Sequence, residues 1–422
     1  VQKNYYRPID EENLLKGAVR QMAASCPRLK NDFLISPGES GFTWQKFAIT
    51  FSNIAGEHPE EAGGLGEAAI RGIIEGLGDP YSVFLDARSR KNFESETTGG
   101  SFPGIGVELA IKDGCLLIVA AIQGTPAFKG GLRPGDEIVA IDGNNVRSLN
   151  FSKAMSLLEG AAGTPLSLTL KRKNSVRSFR LTRENLIFPP PAFRMMKGGI
   201  GYISIPLVDR STEGRVKEGL DSLKGRGAGK FILDLRNNPG GDFEGGMRVA
   251  SLFVPDGTLV KVRKGGQVKP VYARRPFRFG LPLVVLVNGG SASAAEVIAA
   301  AISDNKAGVL MGSQTFGKGL VQTVFSLTGG AAIKITTAEY LTPLGKNLNG
   351  VGLAPDILVP DSISPGEDRP LMKAYEYLKK QRISDYNPTH LPLFLNPVKP
   401  SRIYLSSESM ETAGSRLSMR FR

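Results

Sequence analysis

Two serines, a lysine and a glutamine carry the chemistry that this sequence could do. Ser291 and Ser293 stand in Asn288-Gly289-Gly290-Ser291-Ala292-Ser293-Ala294-Ala295-Glu296. Lys318 stands between two glycines in Thr315-Phe316-Gly317-Lys318-Gly319, and Gln322 follows in Leu320-Val321-Gln322-Thr323-Val324. A serine hydroxyl becomes a nucleophile when a neighbouring base takes its proton. A lysine can be that base if burial brings its pKa down from the ordinary value of about 10.4. Each residue also has a plainer use. Ser293-Ala-Ala-Glu296 spells a capping box, a common helix start, and a lone Gly-Lys-Gly is usually an exposed turn. These residues by themselves leave both uses open.

The elements that must position them come next. Leu283–Val287 is a short run with no polar face, the pattern of a buried strand in a parallel sheet. Asn288-Gly289-Gly290 ends it as a turn, and a helix with Val297, Ile298, Ala301 and Ile302 follows. Two serines therefore sit between a buried strand and a helix, where backbone N–H groups favour developing negative charge. Leu320–Val324 reads as a strand. Ile200–Ile205 and Phe231–Leu235 read as further strands, Arg215–Leu223 and Gly246–Phe253 as helices. Gly240-Gly241 follows the Phe231–Leu235 strand at its carboxyl end, where α/β sheets place ligands. Upstream, Asp10 caps a helix carrying Leu14, Leu15, Val19 and Met22. A weaker helical stretch covers Thr43–Ile54. Leu65–Leu77 puts Ile70, Ile73, Ile74 and Leu77 on one face. Leu371–Gln381 reads as a helix, and Ser415–Arg422 as a basic tail with no assigned role.

Asn288–Glu296 followed by Thr315–Gln322 resembles the carboxyl-terminal processing peptidases, tail-specific serine proteases with a Ser/Lys pair. Asp234-Leu235-Arg236-Asn237-Asn238-Pro239-Gly240-Gly241 agrees, as do Tyr340-Leu-Thr-Pro-Leu-Gly, Gly350-Val-Gly-Leu and Ala354-Pro-Asp356. The likeness runs from about Gly76 to Pro360 in family order. It implies an α/β multidomain chain: a helical amino-terminal region (1–96), a PDZ domain (97–185), a crotonase-like α/β Ser/Lys protease core (186–362), and a carboxyl-terminal helix with a basic tail (363–422). It makes Ser293 the nucleophile and leaves Ser291 to the turn. Lys318 becomes the base, with Gln322 orienting it without adding charge. The oxyanion hole falls to Ala294 and to Gly240 or Gly241. Gly104-Ile105-Gly106-Val107 becomes the loop that receives a peptide carboxylate, with the peptide added as a strand. Glu296 fits a cap and a scaffold equally. Glu159 departs from the pattern: the family commonly has a basic residue before that glycine, which puts charge coupling between PDZ domain and protease in doubt.

Composition excludes some classes. At 422 residues the chain is long enough for two or three domains, and its net charge of +13 comes from scattered basic residues without a nucleic-acid module. No apolar run reaches the roughly 18 residues of a membrane span. His58 and His390 lie far from the motifs, so neither a His-based triad nor a metal site is supported, and no cofactor is implied. Cys26 and Cys115 allow one disulfide, but their distant positions favour two free thiols. The expected activity is a serine endopeptidase cutting near carboxyl termini, in an extracytoplasmic place: the periplasm or cell envelope, or the thylakoid lumen for a plastid source. The expected partners are substrates with free carboxyl termini, a second copy or a regulatory adaptor, and a membrane reached through a segment outside this chain; nucleic acid is not expected. Two rivals stand beside it, a silent PDZ-bearing binding protein and a crotonase-type acyl-thioester enzyme.

Overall fold

The structure, a computed structural model, describes residues 1–29, 43–98, 100–112, 114–148, 151–254, 256–273, 279–361 and 367–381. Much of the Pro27–Glu61 stretch, His390 and the basic tail lie outside those residues. The described residues form two compact units. One is Val1–Lys91 with Gln322–Ala338; the other is Asn92–Val321 with residues 339–381.

The first unit is mainly helical: Glu11–Ser25, Trp44–Glu57 and Ala62–Glu75. Asp10 caps the first helix, accepting the N–H groups of Glu12 and Asn13. Leu14, Leu15, Ala18 and Met22 are buried, with Val19 packed at their edge. The third helix differs from its reading. Its buried face is Leu65, Ala68, Ala69, Gly72 and Ile74, whereas Ile70, Ile73 and Leu77 are half-buried. The reason is close approach: a Cβ on Gly17 would lie 2.1 Å from the Gly72 carbonyl oxygen, so small residues line the crossing. Val83–Leu85 pairs antiparallel with Ala332–Lys334, and Ser82 Oγ accepts the Thr336 N–H at 3.1 Å. These bonds place residues 322–338 with the helices rather than with the residues before and after them in the chain.

The second unit holds two sheets that matter here. The smaller runs in the order Val107–Lys112, Cys115–Ala121, Glu137–Ile141, Pro165–Arg172, Ser175–Thr182, all antiparallel. Ile118, Ile138, Ile141, Leu166, Leu168 and Leu170 are its core, because alternate residues of each strand face inward. Val107–Lys112 is an edge strand, its outer side unpaired within the sheet. The larger sheet runs Ala192–Met196, Ile200–Ser204, Lys230–Asp234, Leu283–Val287, Val309–Gly312, Ile357–Leu358. Only its first pair is antiparallel. All five residues of Leu283–Val287 are buried, as a run without a polar face requires. Helices Thr212–Gly225, Phe243–Phe253, Ala294–Asp304 and Arg369–Lys380 belong to this layer. The carboxyl ends of the two central strands carry the loops 235–241 and 288–293.

Candidate active site

The turn after Leu283–Val287 is built by polar side chains. Asn288 Oδ1 accepts the N–H groups of Asn237 and Gly290, both at 3.0 Å. Ser291 is fully buried; its hydroxyl accepts the Asn288 N–H (3.0 Å) and donates to the Leu235 carbonyl (2.7 Å). Both capacities of that hydroxyl are therefore used inside the turn. Ser293 is different. Its backbone sits at φ 52°, ψ −118°, a conformation that side-chain-bearing residues rarely adopt. It opens the helix Ala294–Asp304. A strained residue on a strand–helix turn is how a nucleophile is lifted toward a substrate.

Facing Ser293 is the loop after Lys230–Asp234. Arg236 is held at both ends, by Asp234 (2.6 Å) and by a two-pronged pair with Asp368 (2.7 and 2.9 Å). Gly240 and Gly241 have φ of 103° and 119°. A Cβ on Gly240 would lie 2.7 Å from Ser293 Cβ and 2.8 Å from the Ala294 nitrogen, so glycine is what admits this approach. The Gly240 N–H donates to Asn238 Oδ1 at 2.8 Å. Among the described residues, the N–H groups of Gly241 and Ala294 have no protein acceptor.

The lysine loop is bound to the serine helix by one carboxylate. Glu296 is fully buried. One of its oxygens accepts the Thr315 hydroxyl (2.5 Å) and the Gly317 N–H (2.8 Å); the other accepts the N–H groups of Ser293 (3.0 Å) and Lys318 (2.9 Å). Burial pushes the Glu296 carboxyl up, and these four donors work against that push. Glu296 is thus a cap and a scaffold at once. The Tyr340 hydroxyl, in the strand Ala332–Leu341, contacts the carbonyl oxygens of Ser293 (3.1 Å) and Lys318.

The Lys318 ammonium donates to Glu108 Oε1 at 2.9 Å, with the two side chains 12% and 30% exposed. Glu108 lies on the edge strand of the smaller sheet, where the register shifts between Glu108 and Leu109, a bulge that re-aims side chains. Gln322 falls in the first unit, and its amide donates to Thr336 Oγ1 at 3.4 Å. Just before that edge strand, Gly104 pairs with Glu184 in a separate two-stranded ribbon, Ile105 is buried, and Gly106 (φ 78°) packs on Thr125. The carbonyls of Ile105 and Gly106 accept the N–H groups of Ala127 and Ile122. At the end of helix Phe151–Leu158 the basic residue is Arg183, brought from another strand. Its guanidinium donates to the carbonyls of Leu157, Leu158 and Pro165, and a Cβ on Gly160 would touch it. Cys26 and Cys115 are free thiols, and His58 lies in the first unit, 3.9 Å from Glu60. The sequence reading missed Glu108, Arg183 and the hydroxyl of Tyr340; only Tyr340 had a signal, as part of a motif.

A six-stranded antiparallel sheet precedes a mostly parallel α/β layer that presents a strained serine, a glycine loop and a lysine loop. That combination is the layout of a PDZ domain joined to a peptidase-like α/β core. The model of peptidase family S41 matches residues 199–359, and that of a PDZ domain matches 117–172. The chain belongs to the carboxy-terminal processing peptidase family. It is 32% identical to the chloroplastic C-terminal processing peptidase of Tetradesmus obliquus, over 77% of this chain and 74% of that one. It is 37% identical to the carboxy-terminal processing protease CtpA of Bacillus subtilis over 69% of this chain, and spans 63% of that protein's length. The solved photosystem II D1 C-terminal processing protease superposes with a TM-score of 0.66 at 28% identity, covering 88% of this chain and 97% of that one. Among the described residues no helix is long and apolar enough to cross a membrane.

Proposed function

We propose that this chain is a serine endopeptidase that cuts proteins near their carboxyl termini, with Ser293 as nucleophile and Lys318 as base. The observation that carries this is the Glu296 carboxylate, which ties the strained Ser293 turn and the Lys318 loop into one piece. Neutral Lys318 takes the Ser293 proton as Oγ attacks the scissile carbonyl. The N–H groups of Gly241 and Ala294 receive the developing oxyanion; Gly240 is the weaker candidate because its N–H is already given to Asn238. The ammonium then returns the proton to the leaving amine, and water hydrolyses the acyl-enzyme by the same route. Gly104–Val107 and the edge strand behind it receive the substrate's end, as PDZ domains take peptides. Gln322 keeps an orienting role on the strength of its motif. The proposed place of work is extracytoplasmic, on the family likeness.

A second reading, a PDZ binding protein on a silent core, is favoured by one observation, the Lys318–Glu108 ion pair. An ion pair favours the charged ammonium, which has no lone pair to take a proton. Incubation with an unstructured protein, followed by mass-spectrometric mapping of new ends, separates the two. Wild type is expected to cut, and Ser293→Ala, Lys318→Ala and Lys318→Arg to be inactive, since arginine stays protonated. No cleavage by the wild type, or cleavage by Lys318→Arg, overturns the proposal.

A further inference from the structure

We propose that Tyr340 is a positioning residue whose hydroxyl sets the spacing between the nucleophile and the base. This rests on the Ser293/Lys318 reading above. Among the described residues Tyr340 is the largest of the fully buried side chains. Its hydroxyl meets two carbonyl oxygens, those of Ser293 and Lys318, and has one proton to share between them. Its own N–H donates to the Gly319 carbonyl at 3.0 Å. Its ring lies 5.7 Å from that of Phe243, which begins the helix after Gly240-Gly241-Asp242. One residue therefore touches the nucleophile turn, the lysine loop at Lys318 and Gly319, and the helix behind the glycine loop.

The strand that carries it gives it purchase. Tyr340 pairs with Val262 and the neighbouring Leu341 with Lys261, so the ring cannot slide along the sheet without breaking that register. The Ser293 carbonyl also accepts the Val297 N–H at 3.0 Å and keeps that bond. The link that fails without the phenol is the one joining the lysine loop to the serine turn on the side away from Glu296. Glu296 joins the same two segments through their N–H groups, and Tyr340 joins them through their carbonyls. A third tie, the Phe316 N–H on the Ser291 carbonyl at 3.0 Å, holds the same two segments further from the reacting residues, so the phenol adds a constraint at Ser293 and Lys318 themselves. Reacting groups lose rate steeply when misplaced by about 1 Å.

The test uses the full chain and three variants, Tyr340→Phe, Tyr340→4-aminophenylalanine and Leu259→Ala. The first removes the donor, the second keeps a donor on the same ring, and the third truncates a buried neighbour-strand residue as a stability control. Turnover of an unstructured substrate, labelling of Ser293 by a fluorophosphonate and Tm are measured for each. Tyr340→Phe is expected to lose about 10- to 100-fold in kcat and in labelling rate, with KM within about twofold. The 4-amino variant should recover most of both rates, and Leu259→Ala should lower Tm without changing kcat per folded molecule. Wild-type rates in Tyr340→Phe overturn the inference, as does a 4-amino variant as slow as Tyr340→Phe. If Tyr340→Phe does not fold, the 4-amino variant decides by the same criterion against wild type. A wild type that neither cleaves nor labels would instead overturn the Ser/Lys reading itself.

Discussion

Replacing Glu108 by glutamine should make the enzyme faster at neutral pH. The Glu108 carboxylate stabilises the charged form of Lys318, and only the neutral amine can take the Ser293 proton. Two unit charges 2.9 Å apart attract by roughly 6 kcal/mol at an effective dielectric of about 20, before solvent is counted. The partial exposure of both groups and the loss of hydration cut this to about 1–3 kcal/mol, the range of hydrogen bonds to charged partners. At 1.36 kcal/mol per tenfold, the neutral fraction rises by about 5- to 150-fold. Glutamine keeps an acceptor oxygen and the side-chain length, so the PDZ strand itself is undisturbed. The assay is kcat/KM for an unstructured substrate across the pH range, for wild type and Glu108→Gln. The variant should lead on the acid side of the profile and converge with wild type where the amine is neutral in both. Equal or lower activity of Glu108→Gln at every pH, in an enzyme that still needs Lys318, would refute the reasoning.

Three other outcomes can be checked. Ser291→Ala should cost about 1–3 kcal/mol in chemical denaturation, from the unpaired Asn288 N–H and the bond lost at the Leu235 carbonyl, which keeps the Asn238 N–H, and should spare the chemistry that Ser293→Ala abolishes. In calorimetry with the inactive Ser293→Ala chain, a peptide with a free apolar carboxyl terminus should bind more tightly than its amidated copy; equal affinities would remove the role given to Gly104–Val107. Burial pushes Asp368 up, but the paired Arg236 guanidinium outweighs it and holds the carboxyl below its ordinary range. Its stabilising contribution is therefore complete above the unfolded carboxylate's value of about 3.9 and is lost as pH falls through the lower, folded one. Asp368→Asn, which retains the helix cap to Leu371, should be less stable than wild type at pH 7, with the gap closing in urea melts as the pH is lowered below about 4.

What could be read in the sequence was local. Leu283–Val287 has no polar face, so burial in a parallel sheet was forced, and Asn288-Gly289-Gly290 could only be a turn. The capping box was also legible, but not that Glu296 would reach across to Thr315, Gly317 and Lys318, because those acceptor–donor pairs depend on where the next loop returns. The pairing of Glu108 with Lys318 spans two sheets and more of the chain than any periodicity covers. A polar residue on an edge strand reads as solvent-facing until its partner is known. The third helix misled for a different reason: its isoleucines form the more apolar stripe, yet Gly72 and the alanines fit the close crossing at Gly17. Gln322 lies four residues after Lys318, but the bonds of its strand place it with the amino-terminal helices.

The lysine loop has a consequence for how the chain can safely be made. Thr315 donates to the Leu353 carbonyl and receives the Leu353 N–H on its hydroxyl, and the Gly317 carbonyl receives the Gly350 N–H. The loop therefore acquires its shape only when residues near 350 are present. A ribosome delivers Ser293 first and Leu353 some 60 residues later (353 − 293), an interval of roughly 3–12 s at ordinary synthesis rates. During that time the nascent chain would carry Ser293 without a positioned base, and is expected not to attack its own unfolded length or its neighbours. On the Ser/Lys reading proposed above, the order of the segments along the chain would act as a timer, keeping the nucleophile idle until synthesis has passed residue 353.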